Sequence, residues 1–316
     1  MRKLMTALLV FGLVAMAGVV GAQPPAKAAK PAAKKEARKP LTPEELAKKA
    51  QQDSKRVGEE MIKVAAAMPD KAPAQPKKAR KLLVYCHCKG FVHDSIGLGA
   101  KTFELMGQKT GAFETVITDD PEAFTPENLQ KFDAVMMNNT TGDNLPKPEQ
   151  KKALADFVKG GKGICGVHSA TDAFGNWHEY GDMMGGYFAG HPFSQITVKI
   201  DDPASPVNAA FEGKGFEITD EIYTFKAPYS REKLHLLLSI DYENSPKVRA
   251  AKGNRADNDY ALSWLNKYGE GRVFYCAFGH QHQIFWNPTI LKHYLAGIQY
   301  AMGDLPADAS PSVKAK

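Results

Sequence analysis

The stretch Gly163-Ile164-Cys165-Gly166-Val167-His168-Ser169-Ala170 constrains this chain more than any other. An apolar run follows the breaker Gly160-Gly161 and stops at a histidine flanked by small residues. That pattern predicts a buried parallel strand that turns sharply into a helix, with one side chain presented at the turn. Two residues compete for the position: His168, and Cys165 three residues upstream. A turn at Cys165 would leave a strand of about three residues, shorter than the usual ~5–6. A turn at His168 gives a strand over 162–167, so strand length favours the histidine and leaves Cys165 as core. An imidazole beside a helix N-terminus is held neutral, able to serve as general base or metal ligand. A histidine that merely hydrogen-bonds within its own loop is the plainer reading.

Apolar runs and helical stretches alternate through the first half. Strands are expected over 82–85, 114–118, 133–137 and 162–167, and helices over 95–107, with Ser95 as cap, and 147–158. This rhythm argues for an α/β fold, a doubly wound parallel sheet with right-handed crossovers. Ligands in such sheets bind beyond the carboxyl ends of the strands, which selects the loops 86–93, 138–143 and 168–177. The second half changes character. Segments 195–200, 218–225, 234–240 and 260–265 are β-like without long helices between them and predict added antiparallel strands. A buried-strand pattern returns over 272–278, and Asn287-Pro288 opens a last helix ending near Met302.

The termini are of different material. Arg2-Lys3, the apolar run 8–20 and the small residues Val20-Gly21-Ala22 read as a cleaved export signal over 1–22. The uncharged stretch 4–22 also nears a membrane-spanning length, so an uncleaved anchor is the alternative. No cysteine precedes Cys86, which excludes a lipid-modified N-terminal cysteine. Residues 23–80 are rich in Ala, Lys and Pro and lack aromatics, as expected of a basic linker; Thr42-Pro43-Glu44-Glu45 starts one short helix within it. Residues 1–80 hold 17 Lys and Arg against 7 Asp and Glu, and the whole chain carries +6, so the remainder is near −4. The basic charge belongs to the linker. That argues against a nucleic-acid-binding domain and allows at most a loose contact of the linker with an anionic cell envelope. The domain is expected over 81–305, with a disordered tail over 306–316. An exported chain with four cysteines permits disulfides, but Cys86, Cys165 and Cys276 sit in apolar strand-like runs, where free core thiols are the expectation.

His168 has company. His93 lies in the loop after the first strand, His191 in Gly190-His191-Pro192, and His280 after the last core strand, with His282 two residues on. Converging strand ends would bring His93, His168 and His280 together as catalytic candidates. Asp172 and Glu221 are the acidic candidates, as acid or orienter. Three histidines could also hold a divalent metal such as zinc with an open position, although no spacing here is a metal signature by itself. Trp177 and Trp286, with His191 and Tyr223, are the candidates for contacting a substrate; flat aromatic faces suit sugar rings and core packing alike.

Five strings, in order, carry a resemblance: Gly90-Phe91-Val92-His93-Asp94-Ser95-Ile96, Gly166-Val167-His168-Ser169-Ala170-Thr171-Asp172, Gly185-Gly186-Tyr187-Phe188-Ala189-Gly190-His191-Pro192, Asp220-Glu221-Ile222-Tyr223, and Tyr268-Gly269-Glu270-Gly271-Arg272-Val273-Phe274 followed by Gly279-His280. Together they resemble the ThuA-like (trehalose utilisation) family across 81–303. The resemblance implies a flavodoxin-like, glutamine amidotransferase-like sheet in which His168 replaces the usual cysteine nucleophile. It also implies work on disaccharides or their 3-keto derivatives, by isomerisation or cleavage. Two other functions stand beside this one. One is a non-catalytic carbohydrate-binding envelope protein; the other is a hydrolase or amidotransferase that uses Cys165, whose Gly163-Ile164-Cys165 matches the start of an amidotransferase elbow.

Overall fold

The computed structural model describes residues 43–251 and 253–312, with side chains from residue 55 onward. The export-signal expectation and the linker before residue 43 therefore lie outside the described residues. In chain order the elements are α1 (Pro43–Ala67), β1 (Lys81–Tyr85), α2 (Ile96–Thr110), β2 (Glu114–Thr118), α3 (Pro126–Leu129), β3 (Ala134–Asn138), α4 (Pro148–Lys159), β4 (Gly163–Val167), α5 (His178–Met184), β5 (Tyr187–Ile200), β6 (Phe216–Lys226), β7 (His235–Ile240), α6 (Pro246–Ala251), β8 (Ala261–Tyr268), β9 (Gly271–Cys276) and α7 (Pro288–Met302). The nine strands among the described residues form one sheet, ordered β2-β1-β3-β4-β9-β8-β7-β5-β6.

The first five strands of that order pair in parallel and the rest antiparallel. The parallel part has the doubly wound flavodoxin order, with its switch point between β1 and β3. Successive side chains on a strand point to opposite faces, and here they feed two cores. Leu82, Val84, Cys165, Val167, Phe274 and Cys276 join one core, with Phe103 of α2 and Leu291 of α7. Leu83, Tyr85, Ile164, Val273 and Tyr275 join the other, with Leu154 of α4 and Tyr180 of α5. Both faces are covered, so the parallel strands are apolar throughout rather than alternating. The sequence reading of an α/β, flavodoxin-like sheet with antiparallel additions holds.

Helix ends follow local chemistry. Pro148 and Pro288 open α4 and α7 at positions where a missing N–H costs nothing, and the Asn287 side chain accepts from Thr289 N and Ile290 N. Ser95 departs from expectation. Its hydroxyl makes no cap bond to α2 and instead donates to Gly279 O at 2.8 Å.

Three further expectations are corrected. The helix read as short runs for 25 residues as α1. The end of the expected linker is folded: Val64 and Met68 are buried in the first core. Ala74 exchanges two hydrogen bonds with the Gln299 side chain, and Arg80 bridges Asp304 and Asp133. Its composition reads as linker because alanines and methylene-rich basic side chains can pack without looking apolar as a run. The expected disordered tail also packs. Ala309 is buried, Ser310 O meets His235 Nδ1 at 2.7 Å, and Ser312 bonds to Leu234 and Leu236. No helix among the described residues is long and apolar enough to cross a membrane.

Candidate active site

β4 ends where strand length placed it, and His168 is the first residue beyond. Its φ of 49° lies in the left-handed region, where a non-glycine residue is uncommon. A single turn of 3-10 helix, His168–Asp172, follows. The turn is sharp, as expected, but it leads into a short helix rather than a long one. Tyr275 on the neighbouring β9 donates to His168 O at 2.6 Å and holds the turn.

Because β1, β3, β4 and β9 are parallel neighbours, their carboxyl ends lie side by side. Two of the loops there are laced together: Lys89 N donates to Thr141 O at 2.9 Å, and Thr141 Oγ1 to Phe91 O at 2.7 Å. Asn139 ties in a third, donating to Ser95 Oγ at 3.0 Å and Gly279 O at 3.1 Å. Gly279 takes φ of 136°, and a Cβ there would stand 2.7 Å from Val167 Cγ1, so the close approach needs glycine. These ties fix the backbone on either side of His93 and His280.

The three histidines meet. Ring centroids are 4.8 Å apart for His93 and His168, 5.1 Å for His93 and His280, and 5.4 Å for His168 and His280. The carboxylate comes from the antiparallel half: Glu221 of β6 places Oε2 3.4 Å from His168 Nε2 and 3.1 Å from His280 Nδ1, and Oε1 3.4 Å from His191 Nδ1. His93, His168, His280 and Glu221 each offer one ligand atom, and all four atoms lie within 4.8 Å of one another. Tyr223 forms a wall, its ring centroid 4.2 Å from that of His168.

Burial orders these groups in depth. His168 is 0% exposed and His93 4%, whereas the side chains of Glu221, His280 and His191 are 21%, 26% and 52% exposed. Burial, with His168 and His280 beside it, lowers His93 to about 3, so its imidazole is neutral. Burial pushes the Glu221 carboxyl up, but the facing His168, His280 and His191 outweigh it and bring the group down to about 2. His168 Nδ1 lies 2.9 Å from Ala277 O, which can only accept, so Nδ1 carries a hydrogen and Nε2 faces the cluster.

Of the two acidic candidates, the structure joins Glu221 to the cluster and leaves Asp172 outside it. Burial raises the Asp172 carboxyl. Neither tryptophan stands in the cluster. Trp177 packs on Phe174 and Tyr180, and Trp286 lies under Lys63 Nζ, 4.7 Å from its ring centroid, where α1 docks. Cys165 is fully buried in mid-strand with its thiol pushed well up by burial, so it is neither exposed nor ionised as a nucleophile must be. All four cysteines are free.

Sequence reasoning missed Asp220. This carboxylate is 1% exposed and accepts from Gly279 N at 2.8 Å, Gln281 N at 2.7 Å and, more weakly, His280 N at 3.4 Å. It shapes the loop that carries His280. Its signal was present as the pair Asp220-Glu221, since two adjacent acids in a strand must face opposite ways and one of them must be buried. A surface cleft of about 1090 Å³, lined by Arg231, His235 and Asp259 among others, lies elsewhere, and none of the four clustered residues lines it.

Fold and site together define a flavodoxin-like α/β protein whose strand-end elbow carries a histidine within a histidine–glutamate cluster. The family model described as ThuA, trehalose utilisation, matches residues 81–301, and the chain belongs to this family. Among solved structures, a protein described as ThuA-like from Bacteroides uniformis ATCC 8492 is similar with a TM-score of 0.57 and 22% identity, over 72% of this chain and 94% of that one. Another, from Parabacteroides merdae ATCC 43184, has a TM-score of 0.56 and 16% identity, over 73% and 93%. Both are likenesses of fold. The comparison with curated proteins finds no match.

Proposed function

We propose that this protein is an exported enzyme that acts on a disaccharide or a 3-keto-glycoside by moving a proton next to the carbonyl. The observation that carries the reading is the convergence of His93, His168, His280 and Glu221 at the ligand-binding edge of the sheet, in a chain of the trehalose utilisation family. A ketone at C3 acidifies the hydrogens on C2 and C4, so one base and one stabiliser of the enolate suffice. Removing the C2 proton gives an enolate whose electron pair can return with a proton, which isomerises. Alternatively the pair expels the oxygen at C1, which takes up a proton, and the glycosidic bond is cleaved.

Exposure divides the roles. His168 and His93 are too deep to meet a sugar and hold the centre of the site. Glu221, His280 and the more exposed His191 face the ligand, with His191 as the base. Export rests on the composition of residues 1–22, and the implied partner is a small carbohydrate. A screen of disaccharides and their 3-keto forms, with product analysis, tests the reading. Turnover by wild type and none by His168→Ala is the expected result. Sugar binding without turnover, equal in both proteins, would instead make this a carbohydrate-binding protein.

A further inference from the structure

Hydrogen bonding does not account for the cluster's geometry. His168 Nε2 and His280 Nδ1 are buried and lack a hydrogen-bond partner, although Glu221 Oε2 stands 3.4 and 3.1 Å away. Buried nitrogens left unpaired beside a carboxylate are costly, and a native site that holds them calls for a reason. Their spacing supplies one. Two donor atoms about 2.1 Å from one ion stand roughly 3.4 Å apart at a tetrahedral angle and roughly 3.0 Å apart at a right angle. The two measured separations fall on those values. All four atoms lie within 4.8 Å of one another, at most about 0.6 Å more than the ~4.2 Å of a trans pair, so a small side-chain adjustment closes the set.

The surroundings agree. Each metal-bound histidine usually gives its other nitrogen to an oxygen acceptor, which fixes the tautomer and orients the ring. His168 Nδ1 donates to Ala277 O at 2.9 Å, and His93 Nδ1 meets Ser169 Oγ at 3.3 Å. Without an ion, three imidazoles with centroids about 5 Å apart crowd around a single carboxylate in a largely buried place and leave two buried nitrogens unpaired, an arrangement burial disfavours.

We propose that His93, His168, His280 and Glu221 bind one divalent first-row transition-metal ion. Three imidazoles suit zinc, iron, nickel or copper, and the carboxylate admits manganese and cobalt; calcium and magnesium, which take oxygen ligands, are excluded. Binding of the ion stands on geometry alone, while its use rests on the carbonyl reading above. A six-coordinate ion held by four protein atoms would keep two positions, enough for a ketone oxygen and an adjacent hydroxyl, and would leave His191 outside the ligand set.

The test uses the full chain, purified without a chelator or a histidine tag. Bound metal is measured by mass spectrometry, and Zn²⁺, Mn²⁺ and Co²⁺ are titrated into wild type, His168→Ala, His280→Ala and Glu221→Gln. Wild type is expected to hold about one equivalent, to show visible Co²⁺ bands and to melt higher with metal bound. Each variant should bind at least about a hundredfold more weakly. His280→Ala, at a partly exposed position, keeps the test decisive if His168→Ala folds poorly. A wild type that binds none of the three ions more tightly than His280→Ala overturns the inference. Tight metal binding without turnover of any sugar leaves the ion in place and removes the carbohydrate reading.

Discussion

The two halves of the sheet contribute to the site by different rules. In the parallel half, β2-β1-β3-β4-β9, every strand ends on the same side, so residues far apart in sequence arrive together there. His93, His168 and His280 all follow such ends. In the antiparallel half, β8-β7-β5-β6, direction alternates and no common edge exists. Its contribution comes from within strands: Glu221 from the middle of β6, and His191 from a stretch of β5 where the pairing register shifts. Imidazoles from a generic edge thus meet a carboxylate from the part added to the generic fold. The added half sets which chemistry the common edge can perform.

The sharpest way to break this comparison is to remove one partner from each half. His168→Ala should lower turnover about a thousandfold or more, since it empties the centre of the site. Glu221→Gln keeps size and fold and should cost about a hundredfold, with little change in melting temperature when both proteins are stripped of metal. If Glu221→Gln were silent, the antiparallel half would be mere cover. Asp220→Ala sharpens the same point through stability. It strips three backbone N–H groups of their acceptor and should cost about 3 kcal/mol in urea unfolding, with turnover falling as the His280 loop loosens.

Smaller effects mark what lies outside the site. Trp286→Ala should leave KM unchanged and speed amide exchange over residues 57–68, because its ring packs under α1 rather than against a ligand. Cys165→Ala should cost about 1 kcal/mol of stability and leave turnover within about twofold, since the thiol only fills core. Loss of activity in Cys165→Ala would revive the cysteine reading.

The same contrast explains what could be read from the chain. The parallel half was legible because its strands are continuous apolar runs and its ligand edge follows from topology alone. His168 was placed by strand length, and His93 and His280 by the strand-end rule. The antiparallel half gave its strands less completely. The part of β5 before residue 195 was missed, because Gly190 and Pro192 look like a loop and are in fact a bulged strand that aims His191 at Glu221. Choosing Glu221 over Asp172 required a contact across the sheet that no local pattern encodes. The tryptophans misled for a related reason: an aromatic beside a site and an aromatic under a docking helix have the same local sequence. Residues 57–80 and 306–312 misled by composition, since alanines, other small residues and, in the first segment, long basic side chains pack well without forming an apolar run.

The central claim is that the site built around the histidine cluster, with His191 as base, moves a proton next to a sugar ketone. A 3-keto-disaccharide incubated in D₂O and followed by proton NMR tests it before any later step divides isomerisation from cleavage. Wild type and Cys165→Ala should replace the hydrogens next to the ketone by deuterium well above the rate in buffer, and His168→Ala should not. Exchange that wild type accelerates no more than His168→Ala would contradict the account.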